Sequence, residues 1–234
     1  MFSGFSDATQ QFFLDIRFHN STTYFHEHHD RYIRDVQTPF YEFFQGLIPV
    51  LTEIDPEMEQ RPHRALARLH RDTRFSKDKS PYRDHLWLWC HRAGEAREDS
   101  VGFWFELGPQ QLSWGLGSWG ENRLLMERFR RELTAHPRRI GGIITSCGLS
   151  ERHLALNGRQ WKRLEIPPSI PQWLRPWYLT REFALMQMYP DFEEVRHATL
   201  LSHVSTDFRA MGPIYRMLRG MQDDIIEEAP QAGQ

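Results

Sequence analysis

A chain of 234 residues, 40% hydrophobic and 26% charged, holds enough apolar material for one full core and is too apolar for a disordered polymer. Its net charge of −2 excludes a whole-molecule attraction to nucleic acid or acidic membranes, and two cysteines, Cys90 and Cys147, exclude a disulfide framework. No apolar run approaches the roughly 20 residues of a transmembrane helix, and residues 1–7 lack a basic stretch followed by an apolar one, so the expected setting is a reducing cytoplasm with no membrane partner.

Asp7 to Arg17 reads as a short helix, with Asp7 and Gln10 in capping-box spacing and Phe12, Phe13 and Ile16 on its apolar side. Ser21, Thr22 and Thr23 offer caps for a second helical stretch, which carries Phe25, Tyr32, Val36, Phe40, Phe43, Leu47 and Leu51 near helical spacing. Pro39 is expected to kink or split it, and Asp55-Pro56 to end it. The middle of the chain alternates with period two. Leu86, Leu88 and Cys90 oppose His85, Trp87, Trp89 and His91; Val101, Phe103 and Phe105 oppose Gly102, Trp104 and Glu106; Leu112, Trp114 and Leu116 oppose Ser113, Gly115 and Gly117. Three such runs predict an antiparallel meander. Arg64 to Arg71 is a candidate fourth strand, and Phe183 to Met188 one more. Glu121 to Ala135 reads as a helix, Arg138 to Cys147 as a helix or a buried strand, and Asp191 with Glu194 as the opening of a long helix broken at Gly212-Pro213. The expected fold is α+β: a central antiparallel sheet of four or five strands packed with N-terminal and C-terminal helices, in a single domain over 1–228 with a disordered tail at 229–234.

Charge is distributed unevenly. Arg61 to Arg92 carries nine Lys or Arg residues against Asp72, Asp78 and Asp84. Its centre, Arg71 to Arg83, supplies guanidinium forks at Arg71, Arg74 and Arg83, ammonium groups at Lys77 and Lys79, and hydroxyls at Ser76 and Tyr82. These are the donors that a phosphate or carboxylate needs: arginine gives planar two-point recognition and lysine a mobile point charge. Asp72 could orient the arginines or carry a proton. Acids alternating with bases also describe an internal salt-bridge brace. The candidate ligand-binding set is therefore Arg71, Asp72, Arg74, Ser76, Lys77, Lys79, Tyr82 and Arg83. The expected function is binding of an anionic, phosphate-bearing ligand, either a small molecule such as a nucleotide or single-stranded nucleic acid. The alternatives are an enzyme using Asp72 or His85 as acid or base, and a structural or partner-binding protein in which the loop only braces the fold.

The run Arg71-Asp72-Thr73-Arg74-Phe75-Ser76-Lys77-Asp78-Lys79-Ser80-Pro81-Tyr82 closely resembles the signature of the family called domain of unknown function 2461. Asn20 followed by Tyr24-Phe25 is similar to the family's Asn-x-x-x-Trp-Phe, Gly102 to Leu107 and Gly115 to Trp119 to its aromatic strand pair, and Trp161-Lys162-Arg163 with Pro167 to its Leu-Lys-Arg-x-Pro. The resemblance spans about Phe2 to Met221. Tyr24 replaces the usual Trp, Arg83 the common Lys, and Gly120 the usual Pro. The resemblance supports the location of the site and implies no particular chemistry.

Three further patterns carry less. The second sheet face gathers His85, Trp87, Trp89, His91, Trp104 and Glu106, with Trp119 as a further candidate, beside glycines that leave room for a flat group. Burial beneath helices on both faces is the expected arrangement, while an open face would suit a nucleotide or a single strand. Gly115-Leu116-Gly117-Ser118-Trp119-Gly120 matches Gly-x-Gly-x-x-Gly, but it follows antiparallel strands and no acidic residue lies about 20 positions beyond it. His26-Glu27-His28-His29-Asp30 is not a metal motif, so no metal is implied by spacing, and nothing specifies a cofactor.

Overall fold

The computed structural model describes residues 2–74, 77–97 and 100–228. Helices α1 (Asp7–Phe18), α2 (Thr22–Glu27) and α3 (His29–Tyr32) lead through a π-helical turn (Ile33–Gln37) into α4 (Thr38–Ile54) and the single turn α5 (Pro62–Ala65). Strands β1 (Leu86–Cys90), β2 (Val101–Leu107) and β3 (Leu112–Ser118) follow, then α6 (Arg123–Ala135), α7 (Pro137–Ser146), β4 (Leu154–Leu156), α8 (Arg175–Tyr178), β5 (Ala184–Gln187) and α9 (Thr199–Glu228). The five strands form one antiparallel sheet in the order β1-β2-β3-β5-β4. This is the α+β arrangement expected from the alternation. No helix among the described residues is long and apolar enough to cross a membrane.

The period-two pattern sets the register. Leu88 pairs with Phe105, Cys90 with Phe103, and Phe105 with Trp114, so the large apolar side chains of three strands share one face. Helices α4 and α9 bring Phe40, Phe43, Phe208 and Tyr215 onto that face. Phe43 meets Phe105 at 4.4 Å between ring centres and Phe208 meets Phe103 at 4.6 Å. Trp114 is fully buried there, and its indole N–H donates to Asp207 Oδ2 at 2.8 Å, which satisfies the one polar atom of the ring. Burial pushes the Asp207 carboxyl upward against that hydrogen bond.

On the opposite face the glycines are already occupied. A Cβ on Gly115 would meet the Trp104 ring at 2.5 Å and the Leu185 carbonyl oxygen at 2.2 Å, and one on Gly117 would meet the same ring at 3.2 Å. The flat group that fits beside the glycines is therefore Trp104 itself.

Several local expectations are corrected. Ser6, not Asp7, precedes α1, and Asp7 instead pairs with Arg196 at 2.6 Å. Ser21 does cap α2, accepting from the Tyr24 N–H at 3.2 Å. Pro39 sits in the first turn of α4, and the helical run is split just before it, as its ring requires, by the π-helical turn Ile33–Gln37. Residues 64–71 are not a strand: Pro62 starts α5, and only isolated bridges, Leu66 to Leu88 and His70 to Tyr82, follow. Residues 138–146 are helical. Asp191 caps a short 3-10 turn, accepting from Glu193 N–H at 3.0 Å, and the long helix begins at Thr199. Gly212-Pro213 does not break α9. Met211, Ile214, Tyr215 and Leu218 are buried around the pair and Gly212 packs on Ile54, so tertiary burial outweighs the backbone hydrogen bond that a proline removes. Strand β4 had no clear signal in the sequence. The tail at 229–234 lies outside the described residues.

Candidate functional site

An open cleft of about 1340 Å³ lies beside β1. Residues 57–71 form its outer wall. They run along the free edge of β1 through backbone bonds from Glu59 N–H to the His91 carbonyl (2.9 Å), from Ala67 N–H to the Trp87 carbonyl (2.9 Å) and from Arg83 N–H to the Leu69 carbonyl (2.9 Å). The pairing leaves the side chains of Arg61, Arg64, Arg68 and Arg71 along the cleft. The expectation that helices bury both sheet faces is not met here, because Trp87 and His91, both on the face opposite α4 and α9, line the cleft.

Trp87 and Trp119 form its aromatic floor, with ring centres 6.5 Å apart. Trp119 is held by its N–H to the Ser100 carbonyl (3.1 Å) and by an edge contact with Trp89 at 5.4 Å. Two guanidinium groups flank the floor: Arg83 lies 5.0 Å from the Trp87 ring and Arg97 5.7 Å from the Trp119 ring. Among the described residues, seven arginines and three carboxylates line the cleft, so their summed charge is positive.

The candidate residues of the basic loop separate into groups. Arg71, Asp72, Arg74 and Arg83 reach the cleft, and Lys77, Lys79 and Tyr82 are not among its lining residues. Ser76 lies outside the described residues. Most of the loop's charge is used internally. Arg71 pairs with Asp78, Arg74 with Asp72 at 2.7 Å, and Lys79 donates to the Thr73 carbonyl at 2.9 Å. Arg83 donates to the carbonyls of Arg68 and His70, both at 2.8 Å. Tyr82 is buried, stacks on Phe25 at 4.5 Å, and exchanges two backbone-to-amide bonds with Asn20, each 2.9 Å. It anchors the loop and does not line the cleft.

The hydrogen bonds from Arg74 hold the Asp72 carboxyl down to about 2, so it stays ionised and is poorly suited to carrying a proton at neutral pH. Hydrogen bonds from Arg61 hold Glu59 at about 2 in the same way. His85 does not line the cleft; its Nδ1 is 2.9 Å from Asp84 Oδ1 and its Nε2 3.6 Å from Glu106 Oε1. Burial raises the Glu106 carboxyl, opposed by His85.

The wall is different. Arg64 and Arg68 are exposed and line the cleft, and neither side chain has a carboxylate partner among the described residues. The loop-centred set left them out, together with Arg61, Glu95 and Arg97, while His91 and Trp119 belong to the aromatic sheet face that the sequence offered as a second candidate surface. A signal for the wall did exist: no acidic residue falls between Arg61 and Arg71.

No group of three metal-ligating side chains occurs among the described residues. His28 instead stacks on Tyr24 at 4.0 Å. Cys90 and Cys147 are buried free thiols whose burial pushes ionisation upward, which makes both poor nucleophiles. Gly115 and Gly117 lie inside β3, and the chain makes no dinucleotide-type turn around them.

A protein-family model described as Conserved hypothetical protein (DUF2461) matches residues 8–217. Neither the curated proteins nor the solved structures contain a match to the chain.

Proposed function

We propose, for a chain that belongs to this conserved hypothetical family, that the arginine-walled cleft binds an anionic, phosphate-bearing small molecule carrying a flat ring, of which a nucleotide is the simplest case. One observation carries the reading: Arg64 and Arg68 stand on the wall without a carboxylate partner among the described residues, beside a floor of Trp87 and Trp119. Guanidinium groups recognise phosphate by paired hydrogen bonds, and an indole face takes a ring by stacking. A cleft of about 1340 Å³ has room for both parts of such a ligand.

The pairing of Arg71 with Asp78 and Arg74 with Asp72 favours a second role for the loop at 71–83, as the brace of the wall. Binding is preferred to catalysis, because Asp72 is locked as a carboxylate and His85 is paired outside the cleft. Two buried free thiols support a reducing, cytoplasmic setting.

The test is a thermal-shift screen of wild type and Arg64→Ala/Arg68→Ala against nucleotides, sugar phosphates and short single strands. A ligand at about 100 times its dissociation constant stabilises by roughly 2.7 kcal/mol, and the double variant is expected to lose that shift. A shift only with oligonucleotides would replace the small-molecule ligand by a single strand. No shift with any phosphate compound would overturn the reading.

A further inference from the structure

The cleft contains two polar atoms that its basic wall does not explain. His91 is only 8% exposed, yet its Nδ1 has no hydrogen-bond partner among the described residues. Glu95 pairs with Arg219 through Oε1, while its buried Oε2 has no partner among the described residues either. Both side chains line the cleft. They lie at the two ends of one turn, Arg92-Ala93-Gly94, in which Gly94 takes a φ of 80°, a conformation open to glycine and strained for most other residues. Ala93 N–H bonds to the Glu57 carbonyl at 2.9 Å and ties that turn to the wall. The fold thus places two buried, unsatisfied groups in a cleft whose other charged lining residues are seven arginines, Glu59 and Asp72, and buried polar atoms in folded proteins are ordinarily paired.

We propose that His91 and Glu95 form a donor-recognising subsite of this cleft, which takes a hydroxyl or amino group of the same ligand whose phosphate meets Arg64 and Arg68. This rests on the anion-binding reading above and narrows it to phosphate esters that carry free donors, such as sugar phosphates and ribonucleotides, as opposed to inorganic phosphate or polyphosphate. The chemistry of the pair decides the class. A carboxylate oxygen only accepts hydrogen bonds, and a neutral imidazole offers one donor and one acceptor. A second phosphate here would face the charge of Glu95, whereas a hydroxyl or amine satisfies Oε2 and can also bond to Nδ1. Burial, helped by the charge of Arg97, pushes His91 below its ordinary value and keeps the ring neutral, which supports the assignment. Burial also raises Glu95, opposed by Arg219.

Calorimetric titration of the full chain tests this with inorganic phosphate, tripolyphosphate, ribose 5-phosphate, AMP and the dideoxy form of AMP. Wild type is expected to bind ribose 5-phosphate and AMP about tenfold more tightly than inorganic phosphate, and dideoxy-AMP to lose much of that margin, in line with the gain from one or two hydrogen bonds to a charged group. Glu95→Gln and His91→Asn should shrink the margin to below about threefold while leaving inorganic phosphate unchanged, whereas Arg64→Ala/Arg68→Ala should weaken every compound. If Glu95→Gln fails to fold through its altered pairing with Arg219, His91→Asn decides, together with the imidazole nitrogen shifts of wild-type His91. Those shifts must move with the esters and stay fixed with inorganic phosphate. Equal affinity for phosphate and its esters, or a margin that survives in folded variants, removes the subsite and leaves the anion reading standing. Failure of every phosphate compound to bind wild type removes both.

Discussion

The two halves of the basic segment look alike in composition and behave differently. In residues 72–84 each acid has found a base: Asp72 holds Arg74, Asp78 holds Arg71, and Asp84 takes Arg17 at 2.6 Å and His85 at 2.9 Å. In residues 61–71 there are no acids, and Arg64 and Arg68 line the cleft with no carboxylate partner among the described residues. Basic density therefore does not locate a binding surface, because interleaved acids consume it. A stretch with no acids of its own, tied beside a sheet edge by backbone bonds, is the better place to look.

The largest effect should come from removing the anchor of the paired half. Tyr82→Ala deletes a buried ring stacked on Phe25 and should cost about 3–5 kcal/mol in urea unfolding; a loss under about 1 kcal/mol would mean that the loop is not tied to the core.

Next come Arg64 and Arg68, the two cations of residues 61–71 with no carboxylate partner among the described residues. Arg64→Ala/Arg68→Ala should weaken a phosphate ester roughly 10- to 100-fold in calorimetry with the melting temperature nearly unchanged, since both side chains are exposed. A drop in stability with no drop in affinity would reverse the roles assigned to the two halves.

A smaller effect is a pH slope. His91 lies below its ordinary value in the folded chain because of burial and the nearby Arg97, so between the folded value and about 6.5 the unfolded chain binds more protons. Stability should therefore fall as pH drops below about 6.5, and His91→Asn should flatten that slope in denaturation curves taken across the window. An unchanged slope would show that the ring titrates normally. The smallest effect is expected for Lys77→Ala/Lys79→Ala. It should change ester affinity by less than about twofold, because neither side chain lines the cleft and exposed charges at a distance are screened by salt. A large loss would return the site to the loop.

Much of the fold was legible in the sequence because alternation reports directly on a half-buried sheet. Leu86 to Cys90, Val101 to Leu107 and Leu112 to Ser118 pair in the order and register that their apolar positions require. Residues 64–71 misled because Leu66 and Leu69 are buried in a segment that runs beside β1 with only isolated bridges, which mimics a strand in its burial and not in its pairing. Pro213 misled because local backbone chemistry is a weaker term than the burial of Met211, Ile214 and Tyr215 around it. The neighbourhood of the site was legible and its membership was not. Asp72 beside Arg74 could equally have been two ligand contacts or one ion pair, and only distance distinguishes them. His91 was legible only as a member of the second sheet face and Glu95 gave no sign, since the interest of both lies in what fails to meet them.

Glu95 and Arg219 also join parts of the molecule that are far apart in the chain. The rim at 91–97 has little regular structure of its own and is held in place by the last turns of α9: Arg219 takes Glu95, and Arg92 reaches Asp223 at 3.2 Å and Asp55 at 2.7 Å. Asp55 in turn accepts from the Tyr215 hydroxyl at 2.7 Å. The position of the rim therefore depends on the C-terminal helix, which supplies Arg219 and Asp223 to it. The cleft, lined by residues from Glu59 to Trp119, thus depends for its rim on a helix from the far end of the chain, and loss of the last turns of α9 would be felt there.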